Sequence, residues 1–301
     1  VVHPPGAPLF LLIGRFFSLF AGSEENVAIA VNMLSATSAA LCVLFTCWIT
    51  TYFGRKLVEK SFGELTPART YAIMLSGIVA GCTLTFTDTF WFSAVEAEVY
   101  AMSSFFMSFT FWCILKWEER SESPMADKWL VFIGYIVGLA IGVHLLNLLV
   151  IPAIVLVYYF KKYPYSNKGL VISLTIGFVA LFFVQLFVIP YIPTFAASFD
   201  RFFVNTLGMG FGSGIITFFV ILVGLLAFGL WYSIKFQKKI LNTSLLAFTF
   251  MLIGYSSYAM VVIRSNAQTP INMNTPDDAF SLVYYLNREQ YGDRPLLKGP
   301  H

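Results

Sequence analysis

Residues 215–234 read IITFFVILVGLLAFGLWYSI, twenty residues without a charge. A helix of that length covers about 30 Å at ~1.5 Å per residue, the thickness of a bilayer's hydrocarbon core, so the run predicts a transmembrane helix. The same test finds further runs at 27–52, 71–86, 99–115, 170–189 and 241–262, and two shorter ones at 129–143 and 145–160 that predict a helical hairpin crossing imperfectly or dipping in and returning. Residues 8–20 are apolar but short and carry Arg15, which suits a helix lying at the interface. The whole chain agrees: 301 residues, 58% hydrophobic, 18% aromatic and 12% charged, with a mean hydropathy of +0.75. Too few polar residues exist to coat a water-soluble globule. The fold class expected is an all-α polytopic membrane protein.

Charge gives the expected sidedness. Thirteen of the 19 Lys and Arg fall in four alternate connections: Arg55, Lys56, Lys60 and Arg69; Lys116, Arg120 and Lys128; Lys161, Lys162 and Lys168; Lys235, Lys238 and Lys239. The connections between them, 87–98 and 190–214, hold only Arg201. Cytoplasmic loops carry the excess of Lys and Arg, so eight crossings place the N-terminal segment, both of those connections and the tail in the outer compartment. A net charge of +3 gives no nucleic-acid footprint. Cys42, Cys47, Cys82 and Cys113 lie in apolar runs without a C-x-x-C or Cys/His cluster and read as buried reduced thiols. Phosphate-loop, dinucleotide, H-E-x-x-H and G-x-S-x-G motifs are absent from the sequence.

The polar chemistry gathers on the expected outer side. Asp88, Glu96 and Glu98 occupy one connection with no basic residue. Such carboxylates can bind a divalent cation or hold a general base for a hydroxyl nucleophile, whereas Ser93 and Glu96 also fit an S-x-x-E capping box. Glu98 is left unexplained by that box and is the stronger catalytic candidate, with Glu96 beside it. His3 stands in a stiff His3-Pro4-Pro5-Gly6-Ala7-Pro8 turn, and His144 at the apex of the short helical pair; both are candidates to contact a substrate headgroup. Arg264, directly after the last span, and Arg201 are candidates to clamp a phosphate, against the alternative that an Arg at a helix end only snorkels. In the tail, Thr275-Pro276-Asp277-Asp278 predicts a capped helix start with Pro at the first helical position.

Four stretches carry a family resemblance: Val2-His3-Pro4-Pro5-Gly6-Ala7-Pro8-Leu9-Phe10, Phe92-Ser93-Ala94-Val95-Glu96-Ala97-Glu98-Val99-Tyr100-Ala101, Gly138-Leu139-Ala140-Ile141-Gly142-Val143-His144-Leu145-Leu146-Asn147 and Tyr285-Leu286-Asn287-Arg288-Glu289-Gln290-Tyr291-Gly292-Asp293. Together they resemble bacterial glycosyltransferase family 117, a former domain of unknown function grouped with a protein O-mannosyltransferase of animals. The resemblance implies a GT-C type helix bundle in the bacterial inner membrane. It also implies inverting transfer of a hexose from a polyprenyl-phosphate donor to an acceptor protein on the periplasmic side, with the bilayer as the third partner. Glu96 and Glu98 fall in what looks like the second outer loop, whose acidic residues serve base, metal or donor-phosphate roles in such enzymes. Relatives carry an acidic stretch shortly before the His-Pro-Pro-Gly, so residues 1–263 are expected to form a transmembrane domain lacking its first acidic motif, and 264–301 an outer tail. A transporter or lipid flippase, or a noncatalytic assembly subunit, stays open beside this reading; midplane ionisable residues would favour the transporter.

Overall fold

The computed structural model describes residues 6–292, and among them every regular element is helical. Helix α1 (Pro8–Ser18) is followed by α2 (Val27–Phe62), α3 (Pro67–Thr85), α4 (Asp88–Val95), α5 (Val99–Glu119) and α6 (Asp127–Ile141). Helices α7 (Val150–Lys162), α8 (Asn167–Phe183), α9 (Ile189–Asn205), α10 (Ser213–Lys235), α11 (Lys239–Tyr255), α12 (Ala259–Asn266) and α13 (Ala279–Leu286) complete the order. Apolar side chains dominate the exposed surface along α3, α8 and α10, the reverse of a soluble bundle, because hydrocarbon covers them. The protein is a polytopic membrane helix bundle.

Six described segments are long and apolar enough to cross a bilayer, or seven if α3 and α4, bent by 70° at Phe86-Thr87, count as one span. Eight were expected. With α3 and α4 taken as one span the difference is α6, whose 15 residues cover only about 22 Å. Two segments overshoot. Glu24–Phe62 and Asn167–Asn205 each run 39 residues, about 58 Å, so each projects well past ~30 Å of hydrocarbon. Arg55, Lys56 and Lys60 therefore lie on the last turns of α2 rather than in a loop, and most of the connection expected at 190–214 is helix α9.

Those basic ends form one layer. Arg55 pairs with Glu119 at 2.6 Å, Lys56 pairs with Glu118, Lys162 with Glu122 at 3.3 Å and Lys239 with Asp127 at 3.6 Å. Exposed pairs of this kind contribute only about 0–1 kcal/mol each, but they tie the basic ends of α2 and α5, of α7 and the α5–α6 connection, and of α11 and α6. The opposite ends of α5, α6 and α8 then face the other way together.

Close packing is supplied by small residues. Helix α6 carries Gly134 and Gly138, with Gly142 following at its C-terminal end in the same fourfold spacing, and α6 with α11 makes the most extensive helix pair. A Cβ at Gly134 or Gly138 would overlap the backbone of Ala247 or Met251, so the two backbones touch directly. Gly77 and Gly81 of α3 instead make room for side chains of α2, Thr51 and Cys47, which a Cβ at either position would overlap. In hydrocarbon no hydrophobic force joins helices, so this contact area supplies the association.

Prolines explain the long α8–α9 segment. Pro190 has no N–H to give the carbonyl four residues back, and the chain passes through a π-helical turn, Val184–Val188, just before it. Pro193 leaves the Ile189 carbonyl without its helical donor, and the buried Tyr255 hydroxyl donates to that oxygen at 2.8 Å. At the end of α9, buried Asp200 accepts from the Gly212 and Gly214 N–H groups at 3.1 and 3.0 Å and so caps α10.

Three local expectations are corrected. The Ser93/Glu96 capping box does not form: Ser93 lies inside α4 and donates to the Thr89 carbonyl, while Glu96 ends that helix. The tail helix starts at Ala279 rather than Pro276, because Asn274 and Thr275 take positive φ (60° and 41°). Asp278 is its cap, accepting from the Ser281 N–H at 2.7 Å. Among the thiols, Cys42 and Cys113 are buried but Cys82 is exposed, since α3 packs mainly on α2.

Candidate functional site

A hollow of about 750 Å³ opens at the end of the bundle opposite the basic layer. Its wall is assembled from distant parts of the sequence: Gly6 to Leu11, the start of α5 at Ala97–Tyr100, the turn after α6, the π-helical turn, Tyr258 and Arg288. Glu98, Tyr100, His144, Gln185 and Arg288 supply its hydrogen-bonding groups amid Leu, Val and Ile side chains. A mixed wall of this kind suits a ligand with an apolar tail and a polar head.

Each polar group has a local cause. Glu98 is the residue before α5 and takes extended backbone, φ −120° and ψ 159°, yet its carboxylate does not cap the helix. Its carbonyl accepts from Ser35 of α2 at 3.4 Å, which fixes the backbone while the exposed side chain keeps no hydrogen-bond or ion partner among the described residues. An acidic group spared from capping at a helix start is free for chemistry.

His144 sits in the three-residue turn after α6. Its Nδ1 accepts from the Leu146 N–H at 3.2 Å, so Nε2 carries the proton in the neutral ring. Burial holds its pKa below the usual imidazole value, which keeps the ring neutral at pH 7 as a hydrogen-bond donor. The turn is pinned by buried Asn147, whose side-chain amide donates to the Ala140 carbonyl at 3.3 Å and whose Oδ1 accepts from Ser103 of α5 at 3.1 Å. Tyr100 packs its ring 5.4 Å from that of His144.

The N-terminal motif closes one side. Leu9 donates to the Gly142 carbonyl at 3.0 Å, docking α1 where the glycine stripe of α6 ends. Gly6 has φ +62°, and a Cβ there would stand 2.5 Å from the hydroxyl of buried Tyr285, so α13 presses on this turn through a position only glycine fits.

A smaller hollow shares Gly6, Ala7 and Leu11 with the large one and is lined by Arg15 and Arg264. Neither arginine has a carboxylate within ion-pair distance among the described residues, and Arg288 only stacks its guanidinium 5.1 Å from the Tyr291 ring. Three cations without carboxylates thus border one end of the bundle. A third hollow, about 380 Å³, lies at the basic end by Trp48, Arg55, Trp112 and Lys116, but its charges are already paired through Glu119.

Of the residues singled out from sequence, Glu98 and His144 meet at the large cavity and Arg264 borders the adjoining one. Glu96 and Asp88 are exposed and line neither, and Arg201 is exposed on α9 beside the capping Asp200. His3 lies outside the described residues, as does Asp293. No three His, Cys, Asp or Glu side chains among the described residues stand together as a metal site, so Asp88, Glu96 and Glu98 do not converge on a cation. Gln185, Arg15 and Arg288 are additions. Arg288 stands in the Tyr285-to-Asp293 sequence motif, whereas Gln185 has only the signal of being a lone amide in an apolar run.

Residues 1–168 match the family model described as Protein O-mannosyl-transferase TMEM260 N-terminal domain. No curated protein and no solved structure matches the chain. The matched region carries Gly6, Glu98 and His144 and covers more than half of the 301 residues. The chain therefore belongs to the TMEM260 N-terminal-domain family, whose name is that of a glycosyl-transferring enzyme, a protein O-mannosyl-transferase.

Proposed function

We propose that this chain is a GT-C type transferase of bacterial glycosyltransferase family 117. It takes a hexose, mannose by the family's name, from a polyprenyl-phosphate donor and passes it to a protein Ser or Thr hydroxyl at the outer face of the cytoplasmic membrane. The observation that carries this reading is the 750 Å³ cavity at the end opposite the basic layer, where Glu98 and His144 meet among apolar side chains. In this reading the donor's polyprenyl tail lies along the apolar wall in lipid. Its phosphate lies toward Arg264, Arg15 and Arg288, whose guanidinium groups match phosphate oxygens. Glu98 takes the proton from the acceptor hydroxyl as its oxygen attacks the anomeric carbon, and polyprenyl phosphate leaves from the opposite face, inverting that carbon. His144 donates from Nε2 to a ring or phosphate oxygen.

Residues 1–263 form the membrane part in this reading, and the tail, through Tyr285 and Arg288, closes the cavity from outside. Glu96, two positions before Glu98, stands beside it in the same connection as a secondary carboxylate in this reading. Asp88 and Arg201 receive no role. Incubating the full-length protein in liposomes with radiolabelled polyprenyl-phosphate mannose and acceptor protein tests the proposal: label on Ser or Thr is expected. No transfer from any polyprenyl-phosphate hexose would favour a transporter or an assembly subunit instead.

A further inference from the structure

Between Lys168 and Asp200 the chain has no charged side chain and one amide, Gln185. It stands 18 residues beyond Asn167 at the start of α8, about 27 Å along the helix from the basic layer and so near the far edge of the hydrocarbon. An amide facing hydrocarbon there loses its hydrogen bonds to water and gains none in return, so such a position is strongly disfavoured. Gln185 has no hydrogen-bond partner among the described residues. What the fold does give it is a direction. Gln185 lies in the π-helical turn, where the added residue rotates the helix face, and it lines the large cavity with Glu98, His144 and Arg288. Gln185, Leu186 and Phe187 are all exposed in this turn, and of the three Gln185 alone lines the cavity.

We infer that Gln185 is a specificity-determining contact for the sugar of the lipid-linked donor, an assignment that rests on the donor reading above. An amide presents one acceptor and a two-hydrogen donor side by side, which matches two adjacent ring hydroxyls, each both donor and acceptor. A phosphate offers acceptors alone and is served by the arginines. The π-helical turn ahead of Pro190 is then the device that turns this one polar side chain out of lipid and onto the hexose.

Binding of polyprenyl-phosphate mannose and of sugar-free polyprenyl phosphate to the purified full chain separates these roles. Gln185→Leu, with Gln185→Met as a second variant of matching length, is expected to weaken the mannose-bearing lipid by about three- to tenfold. Affinity for polyprenyl phosphate and the thermal midpoint should stay at the wild-type value. Equal weakening of both lipids, or of neither, overturns the sugar contact. A wild-type chain that binds neither lipid overturns the donor reading itself, and is recognised before any substitution is made.

Discussion

Glu98→Gln is expected to lower the rate of hexose transfer by about 10²- to 10⁴-fold while leaving donor binding near its wild-type value, because the amide fills the carboxylate's space but cannot take the acceptor's proton. Glu98 is the carboxylate on the cavity wall, at a helix start it does not cap. Glu96, two residues earlier, ends α4 and lines no part of that wall, so Glu96→Gln should cost far less. Single-turnover transfer with each variant in liposomes measures the contrast. Equal losses would mean that the two carboxylates act as a pair, and an unchanged rate for Glu98→Gln would remove it from the mechanism.

The second large effect is structural. Gly138→Leu should destabilise the bundle by about 3 kcal/mol or more, since even a Cβ there would overlap the Met251 carbonyl and a full side chain must lever α6 away from α11. The consequence reaches the cavity, because Gly142 and His144 follow on the same segment and α1 docks on the Gly142 carbonyl. Gly224→Leu is the matched comparison. It lies on α10 with open space around it and should stay within about 0.5 kcal/mol of wild type. Thermal unfolding in detergent, read by the loss of monodisperse protein, compares the two. Similar shifts would show that the glycine contact does not hold the helices together.

Much of this architecture can be read from the chain without coordinates, and the exceptions have physical causes. Long apolar runs such as 215–234 give their helices because a lipid-facing span needs nothing but length and hydropathy. Where the helix continues beyond hydrocarbon, hydropathy is silent: α2 carries on through Arg55 and Lys60, and α9 looks like a loop because Pro190 and Pro193 interrupt it. The coordinates resolve both prolines, one by a π-helical turn and the other by the Tyr255 hydroxyl, neither of which has a local sequence mark. Glu98 and His144 were legible as polar residues in apolar settings. Their convergence was not, since it depends on a glycine stripe that brings α6 against α11 and on an N-terminal turn held by Tyr285, almost 280 residues away. At 200–201 the sequence marks Arg201 as the phosphate candidate, while in the fold the buried Asp200 carboxylate is the working group, as a cap on α10.

The account depends on which compartment the cavity faces. With the exposed native thiol removed by Cys82→Ser, one added thiol at Glu96→Cys reports on the cavity end and one at Lys168→Cys on the basic end. A membrane-impermeant maleimide applied to intact cells is predicted to label the first and to reach the second only after the membrane is permeabilised. Labelling of the Lys168→Cys protein in intact cells, with the Glu96→Cys protein protected, would put the cavity in the cytoplasm and contradict the account.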